Sequence, residues 1–224
     1  YTNKYEISRN VYKNFYGNKI MFEEINHDLE LSFRYQWNSS NLYGFVRKAE
    51  LLNHSGSTCT VRLLDGLQNI LPFGVEPDVQ TASSNLVDAY KRSELVKEPG
   101  LGIYALSAII VDKAEPSEAL KANVAWSYGF DQTEHLMSSL QLDAFRHGDE
   151  ISPEEDIKGE KGAYFIHTNF DLQHDNSRSW NIVTDVNKDQ SQIVALCDKI
   201  LHDDSLKQSI EEDIEQGSNK LDKL

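Results

Sequence analysis

General acid and base chemistry needs a proton donor and an acceptor held together, and this chain offers two places to look for them. His147, Asp149 and Glu150 lie within HGDEISPEED, residues 147–156, while His167 and His174 lie on or beside a strand-like run. A histidine acid with a carboxylate base is the pairing that ring-opening sugar isomerases use. With 7 histidines among 36 acidic residues, however, some pairs fall close by chance, and residues 147–156 read first as an exposed acidic loop. A metal site built from His167, His174 and Asp175 would need a compact zinc spacing, which two histidines separated across a turn do not supply. The sequence has no G-x-S-x-G, phosphate-binding loop or dinucleotide fingerprint, and no cysteine placed with a base. No catalytic residue, metal or cofactor is assigned on these grounds.

Binding chemistry is better represented. Sugars stack their C–H faces on aromatic rings while polar side chains take the hydroxyls, and Trp37, Trp126, Tyr128 and Trp180 all sit on strand-like runs or at their ends. These four are the candidates for carbohydrate contact, although aromatic residues on strands also serve as ordinary core. Trp37 and Trp180 lie nearest to turns and are the better placed for a surface platform.

The elements that would position these residues are mostly strands. In DLELSFRYQW, residues 28–37, Leu29, Leu31, Phe33, Tyr35 and Trp37 alternate with polar residues, as in a half-buried antiparallel strand. A polar turn at residues 38–41 and the run at 43–53 complete a hairpin, and TCTVRLLD at 58–65 adds a third strand, predicting a meander. Asp65 and Gly66 then break the run, and the following LQNILPFGVEP is too rich in Pro and Gly for a regular strand. Residues 85–96 fit one short helix capped by Asn85. Strand-length runs follow at 101–111, 120–130, 162–172 and 179–186, giving roughly nine or ten strands and the pattern of a sandwich. After Asn187 the period becomes helical. Asp189 and Gln192 form a capping box, and Ile193, Leu196, Cys197, Ile200 and Leu201 make an apolar stripe. A second helix, residues 205–216, has only Leu206, Ile210 and Ile214 as its stripe, ends at Gly217, and needs a partner to pack on.

Composition narrows the partners. The formal charge of -14 repels phosphate backbones and anionic membranes, so neither nucleic acid nor membrane is expected as a partner, and no apolar run approaches the roughly 18 residues that span a bilayer. Cys59 and Cys197 are the only cysteines and read as packing residues. The chain opens on Tyr1 without a signal peptide, and both ends are expected to be cuts within a longer protein, so no compartment is assigned.

The stretch NLYGFVRKAELLNHSGSTCTVRLLDGLQNILPFGV, residues 41–75, resembles the N-terminal sandwich of the cellobiose phosphorylase group of inverting glycoside phosphorylases. GAYFIHTNFDL, SWNIVTDV and the helix after them resemble that domain's closing strands and the linker helices that follow. The resemblance implies a mainly β supersandwich of the galactose-mutarotase-like type, antiparallel, with one inserted short helix. It implies a sandwich domain over residues 1–187 and a helical linker over 188–224, leading to an (α/α)6 catalytic barrel beyond this chain. The family's general acid stands on that barrel, so this fragment is expected to be non-catalytic, since inverting chemistry needs both an acid and an attacking nucleophile. It would pack on its own barrel, or on a second subunit, and help wall a carbohydrate site. Within DGLQNILPFGV, either Asp65 and Gly66 form an ordinary turn with Leu67, Ile70 and Leu71 as core, or Gln68 and Asn69, beside Pro72 and Gly74, hold a loop against the barrel. A free-standing carbohydrate-binding module and a mutarotase-like isomerase are the alternatives.

Overall fold

The structure, a computed structural model, describes residues 4–82, 84–107, 120–221 and 223. The chain begins with strands β1 (Ile7–Lys13), β2 (Ile20–Asn26), β3 (Leu31–Ser40), β4 (Gly44–Asn53) and β5 (Cys59–Ile70). Short helices α1 (Pro77–Ala82) and α2 (Ser84–Tyr90) lead into β6 (Lys91–Val96), β7 (Leu101–Leu106), β8 (Lys121–Tyr128) and β9 (Glu134–Leu136). After α3 (Leu142–His147) come β10 (Asp156–Lys158), β11 (Gly162–Leu172) and β12 (Ser177–Asp189), and the chain finishes with α4 (Gln190–His202) and α5 (Leu206–Leu221).

The molecule is the mainly β, antiparallel sandwich that the alternating sequence predicts. Nine strands form one sheet in the order β1-β2-β3-β4-β12-β8-β7-β6-β10, and three form the other in the order β5-β11-β9. Two-residue periodicity gives the large sheet two different faces. Its inner face, with Ala49, Leu51, Tyr104, Trp180 and Ile182, meets Tyr164, Ile166 and Leu172 of the small sheet in the main core. Its outer face, with Val46, Val124, Trp126 and Val183, is covered by α5 through Leu206, Ile210 and Ile214. A smaller core on the far side of the small sheet joins Leu136, Ala163 and Phe165 to Ile151, with α3 packed against it.

Several expectations are corrected. The alternating strand starts at Leu31 because Glu30 has a left-handed backbone (φ 51), which leaves Leu29 half exposed in the turn. The third strand is not a meander neighbour: β5 crosses to the other sheet and pairs with β11. Nor does it stop at Asp65. Gly66 is required within β5 because a Cβ there would lie 2.1 Å from the Tyr164 carbonyl oxygen of β11. The irregularity comes later, where Gly162 faces Ile70 and Ala163 faces Gln68. Asn69, at φ 57, is the extra residue of a β-bulge.

The helix predicted over residues 85–96 ends at Tyr90, and its second half is β6, paired on both sides. Lys91 and Ser93 of that strand are buried, which a two-residue period explains and a helical one does not. The side chain of the predicted cap, Asn85, lies outside the described residues, as do residues 108–111 of the strand predicted over 101–111. Three short helices, rather than one, occur before the C-terminal pair among the described residues.

The two C-terminal helices reverse the expected weighting. The capping box of α4 forms, with Asp189 accepting from the Gln192 N–H at 2.9 Å and Gln192 accepting from the Asp189 N–H at 3.0 Å. Its broad stripe is nevertheless only half covered, and Val194 and Leu201 are exposed. The narrow stripe of α5 is fully buried, and the helix runs through Gly217 to Leu221. Asp213 ties α5 to the turn after β3. It accepts from the Ser40 hydroxyl at 2.5 Å, the Asn41 N–H at 2.7 Å and the Leu42 N–H at 3.1 Å. Burial alone would raise the pKa of Asp213, but these three bonds outweigh it and hold the carboxyl below its usual range.

Candidate functional site

Nine strands opposed by three leave part of the large sheet's inner face uncovered. The uncovered part lies beside β5, which is the edge strand of the small sheet. There β2, β3 and β4 set Ile20, Trp37 and Arg47 in one row and Phe22, Tyr35 and Ala49 in the next. Two clefts meet over these rows and share Tyr35 and Trp37. One, of about 490 Å³, lies between Trp37 and Arg47 on one side and Gln68, Phe145 and Arg146 on the other. The second, of about 540 Å³, is lined by Asn18, Ile20, Phe22, Asn38 and Phe45. Both fall in the size range of ligand sites.

The floor is rigid and its charge is spent internally. Arg47, buried, gives a two-pronged ion pair to Asp65 at 2.6 and 3.0 Å. The Trp180 indole N–H donates to the same carboxylate at 2.6 Å. The Arg47 guanidinium also lies 4.5 Å from the Tyr35 ring centroid, and Tyr35 stacks on Phe22 at 5.0 Å with 19° between planes. This node fastens β4 and β12 of the large sheet to β5 of the small one.

The sequence candidates divide between this face and the interior. Trp37, half-buried, lines both clefts, and Gln68 hangs exposed from the edge strand into the first, its amide 3.3 Å from the Ser139 hydroxyl. Asn69 turns away at the bulge into a separate cleft beside Pro77 and Lys161. Neither amide stands on a loop, because β5 continues through both. Trp180 is fully buried: it sits opposite Ala49 beneath the small sheet, and proximity to a turn in sequence did not bring it to the surface. Trp126 is buried under α5 on the opposite face. Tyr128 neighbours it at 5.6 Å, with its phenol buried and unpartnered, and burial first, then Glu211, pushes its pKa up. These three rings therefore do not join Trp37 at one surface. Phe22, Tyr35 and Phe45 do, and the signal for them was their shared register with Trp37.

The histidines do not converge. His147, Asp149 and Glu150 are exposed, as expected of an acidic loop, but Glu154 in the same segment is buried. It accepts from the Met137 and Ser138 N–H groups at 2.8 Å, from the Ser138 hydroxyl and from Gln141. His167 pairs with Glu134 at 3.0 Å on the far side of the small sheet beside Phe145, and its Nε2 is buried without a partner. His174 is exposed at a turn and donates to the Ser55 carbonyl oxygen at 2.5 Å. No group of three or more His, Cys, Asp or Glu side chains suited to a metal occurs among the described residues.

His135 is the histidine whose state the fold controls. Burial lowers its pKa from 6.5 to about 4. The unfolded chain therefore takes up a proton over that window that the folded chain refuses, so stability falls as pH drops from 6.5 towards 4. In thermal melts across this range, His135→Gln is expected to flatten the dependence of Tm on pH. An unchanged slope would show that His135 is not its source.

The fold defines the class: an antiparallel β-sandwich with a helical layer on its larger sheet. No family model and no curated protein matches the chain. Among solved structures, it matches a bacterial glucoamylase crystallised with acarbose, with a TM-score of 0.53 at 9% identity. The match covers 93% of this chain and 27% of the glucoamylase chain, and at this identity it is a likeness of fold.

Proposed function

We propose that this chain is a non-catalytic sandwich domain of a carbohydrate-active protein, which packs on a catalytic (α/α)6 barrel or on a second subunit and helps wall the sugar site. The observation that carries the reading is the size relation just described: nearly all of this chain corresponds in fold to about a quarter of a glucoamylase chain. The half-covered stripe of α4 supports it, because Val194 and Leu201 offer apolar surface where a following domain would pack. On this reading residues 1–187 are the sandwich domain and residues 188–224 connect it to the barrel, with α5 clamped to the sheet by Asp213 so that the connector is held at a fixed angle. The phosphorylase-like family remains the preferred relation, on the wording of residues 41–75.

The test uses the 224-residue chain with cellobiose and inorganic phosphate, followed by release of glucose 1-phosphate or free glucose. No turnover is expected, and detectable phosphorolysis or hydrolysis overturns the reading. In the longer protein, Gln68→Ala combined with Asn69→Ala is expected to weaken turnover or domain association. Unchanged kinetics together with unchanged association would count against a role for that edge. A free-standing binding module is the second reading, favoured by the aromatic rows at β2, β3 and β4.

A further inference from the structure

We infer that the uncovered inner face at β2, β3 and β4 is an extended binding groove for a neutral oligosaccharide, with Trp37 as the ring on which its middle residue stacks. The inference rests on the carbohydrate reading above and assigns it a place on this chain.

Three observations lead there. The first is shape: two clefts, each large enough for a ligand, adjoin over Tyr35 and Trp37, so a bound chain crossing from one to the other must pass over these rings. A compact ligand would fill only one of them.

The second is surface chemistry. Phe22, Tyr35, Trp37 and Phe45 present aromatic area, with Phe45 53% exposed, and the exposed Gln68 amide stands in the first cleft, whereas Asn38 and Asn18 of the second are bonded within the protein, Asn38 to Val46 and Gln36 and Asn18 to Asn14 and Ser218. Rings with an exposed amide beside them match a ligand that has apolar C–H faces and hydroxyls around its edge. The rings are also held in place. Tyr35 is fixed between Phe22 and the Arg47 guanidinium, and Asn38 is held by the Val46 carbonyl oxygen and the Gln36 amide. Such a surface loses little freedom when it binds.

The third is charge. Of the arginines lining the first cleft, Arg47 is buried against Asp65 and Arg146 is paired at the surface with Asp143, and the chain as a whole carries -14. A uronate, sulfate or phosphate ester would find Arg47 unreachable and would have to displace Asp143 from Arg146, and the overall field would repel it. The ligand is therefore a neutral glycan.

The experiment measures binding to the 224-residue chain by intrinsic fluorescence and calorimetry, using cellotetraose, maltotetraose and laminaritetraose with their disaccharides alongside. Because Trp126 and Trp180 are 2% and 0% exposed, a fluorescence change on binding reports on Trp37. At least one tetrasaccharide is expected to bind saturably and more tightly than its disaccharide. Trp37→Ala should weaken it by about tenfold or more, while the conservative Trp37→Phe retains part of the affinity. Circular dichroism and Tm establish that each variant is folded. Absence of binding by every tetrasaccharide, equal affinity for disaccharide and tetrasaccharide, or indifference to Trp37→Ala overturns the groove. The outcomes are separable from the domain reading, which fails instead if the same chain cleaves cellobiose.

Discussion

Asp65→Ala is expected to cost about 3–5 kcal/mol of folding stability, the scale found when one member of a buried ion pair is removed. Its carboxylate answers both prongs of Arg47 and the Trp180 indole N–H. Alanine would leave a guanidinium that is 5% exposed without a counter-charge, and an indole N–H inside the core without an acceptor. Domains commonly have only about 5–15 kcal/mol in total, so a large share would be lost. Urea denaturation gives the measurement, with the midpoint shifting at constant slope. Asp65→Asn, which keeps acceptor geometry but not charge, should fall between. Arg47→Met combined with Asp65→Leu should recover much of the loss, because it removes the stranded charge along with its partner. A loss under about 1 kcal/mol for Asp65→Ala would mean that Arg47 finds water or another carboxylate.

Ile210→Ala is the second large effect, expected at about 2–5 kcal/mol. Ile210 is fully buried between Leu206 and Ile214, against Val46, Val124, Trp126 and Val183 of the large sheet. The cavity would open under a helix that the sheet holds in place, and limited proteolysis should cut within residues 203–223 sooner than in the parent chain. An α5 that merely trailed from the sandwich would show a change within about 0.5 kcal/mol, as exposed positions do. The same measurement thus distinguishes an integral layer from a loose connector.

Much of the sandwich was legible, for local reasons. Alternation from Leu31 to Trp37 needs no knowledge of the rest of the chain, and the capping box at Asp189 is a four-residue signal. What escaped depends on neighbours remote in sequence. Gly66 follows Asp65 as it would in a turn, yet it is there because the Tyr164 backbone passes close by. The stripe of α5 looked thin because a helix lying on a sheet needs only Leu206, Ile210 and Ile214 to be covered. Residues 91–96 carry spacing that fits a helix or a strand over so short a span, and only pairing with β7 and β10 decides.

The site divides the same way. Trp37 and Gln68 were legible as residue types suited to sugars, but their meeting across one cleft follows from β5 being the edge of the small sheet. Trp180 looked equally suitable, but it packs in the main core against Phe33 and Phe130, where Asp65, 115 residues earlier, accepts its indole N–H. Phe22 lies in a hairpin whose pattern was not singled out, and Tyr35 and Phe45 were seen only as members of strands.

The position of β12 between β4 and β8 also governs the order in which the molecule assembles. Until residues 177–189 are in place, the four strands before the crossover and the four after it share no ladder, so the large sheet exists as two halves with raw edges. Its keystone is the last strand made, and during synthesis both halves must wait for it, with β4 and β8 open to mispairing. Closure then joins β12 to β4, more than a hundred residues earlier, and such long-range pairing belongs to the slow end of folding.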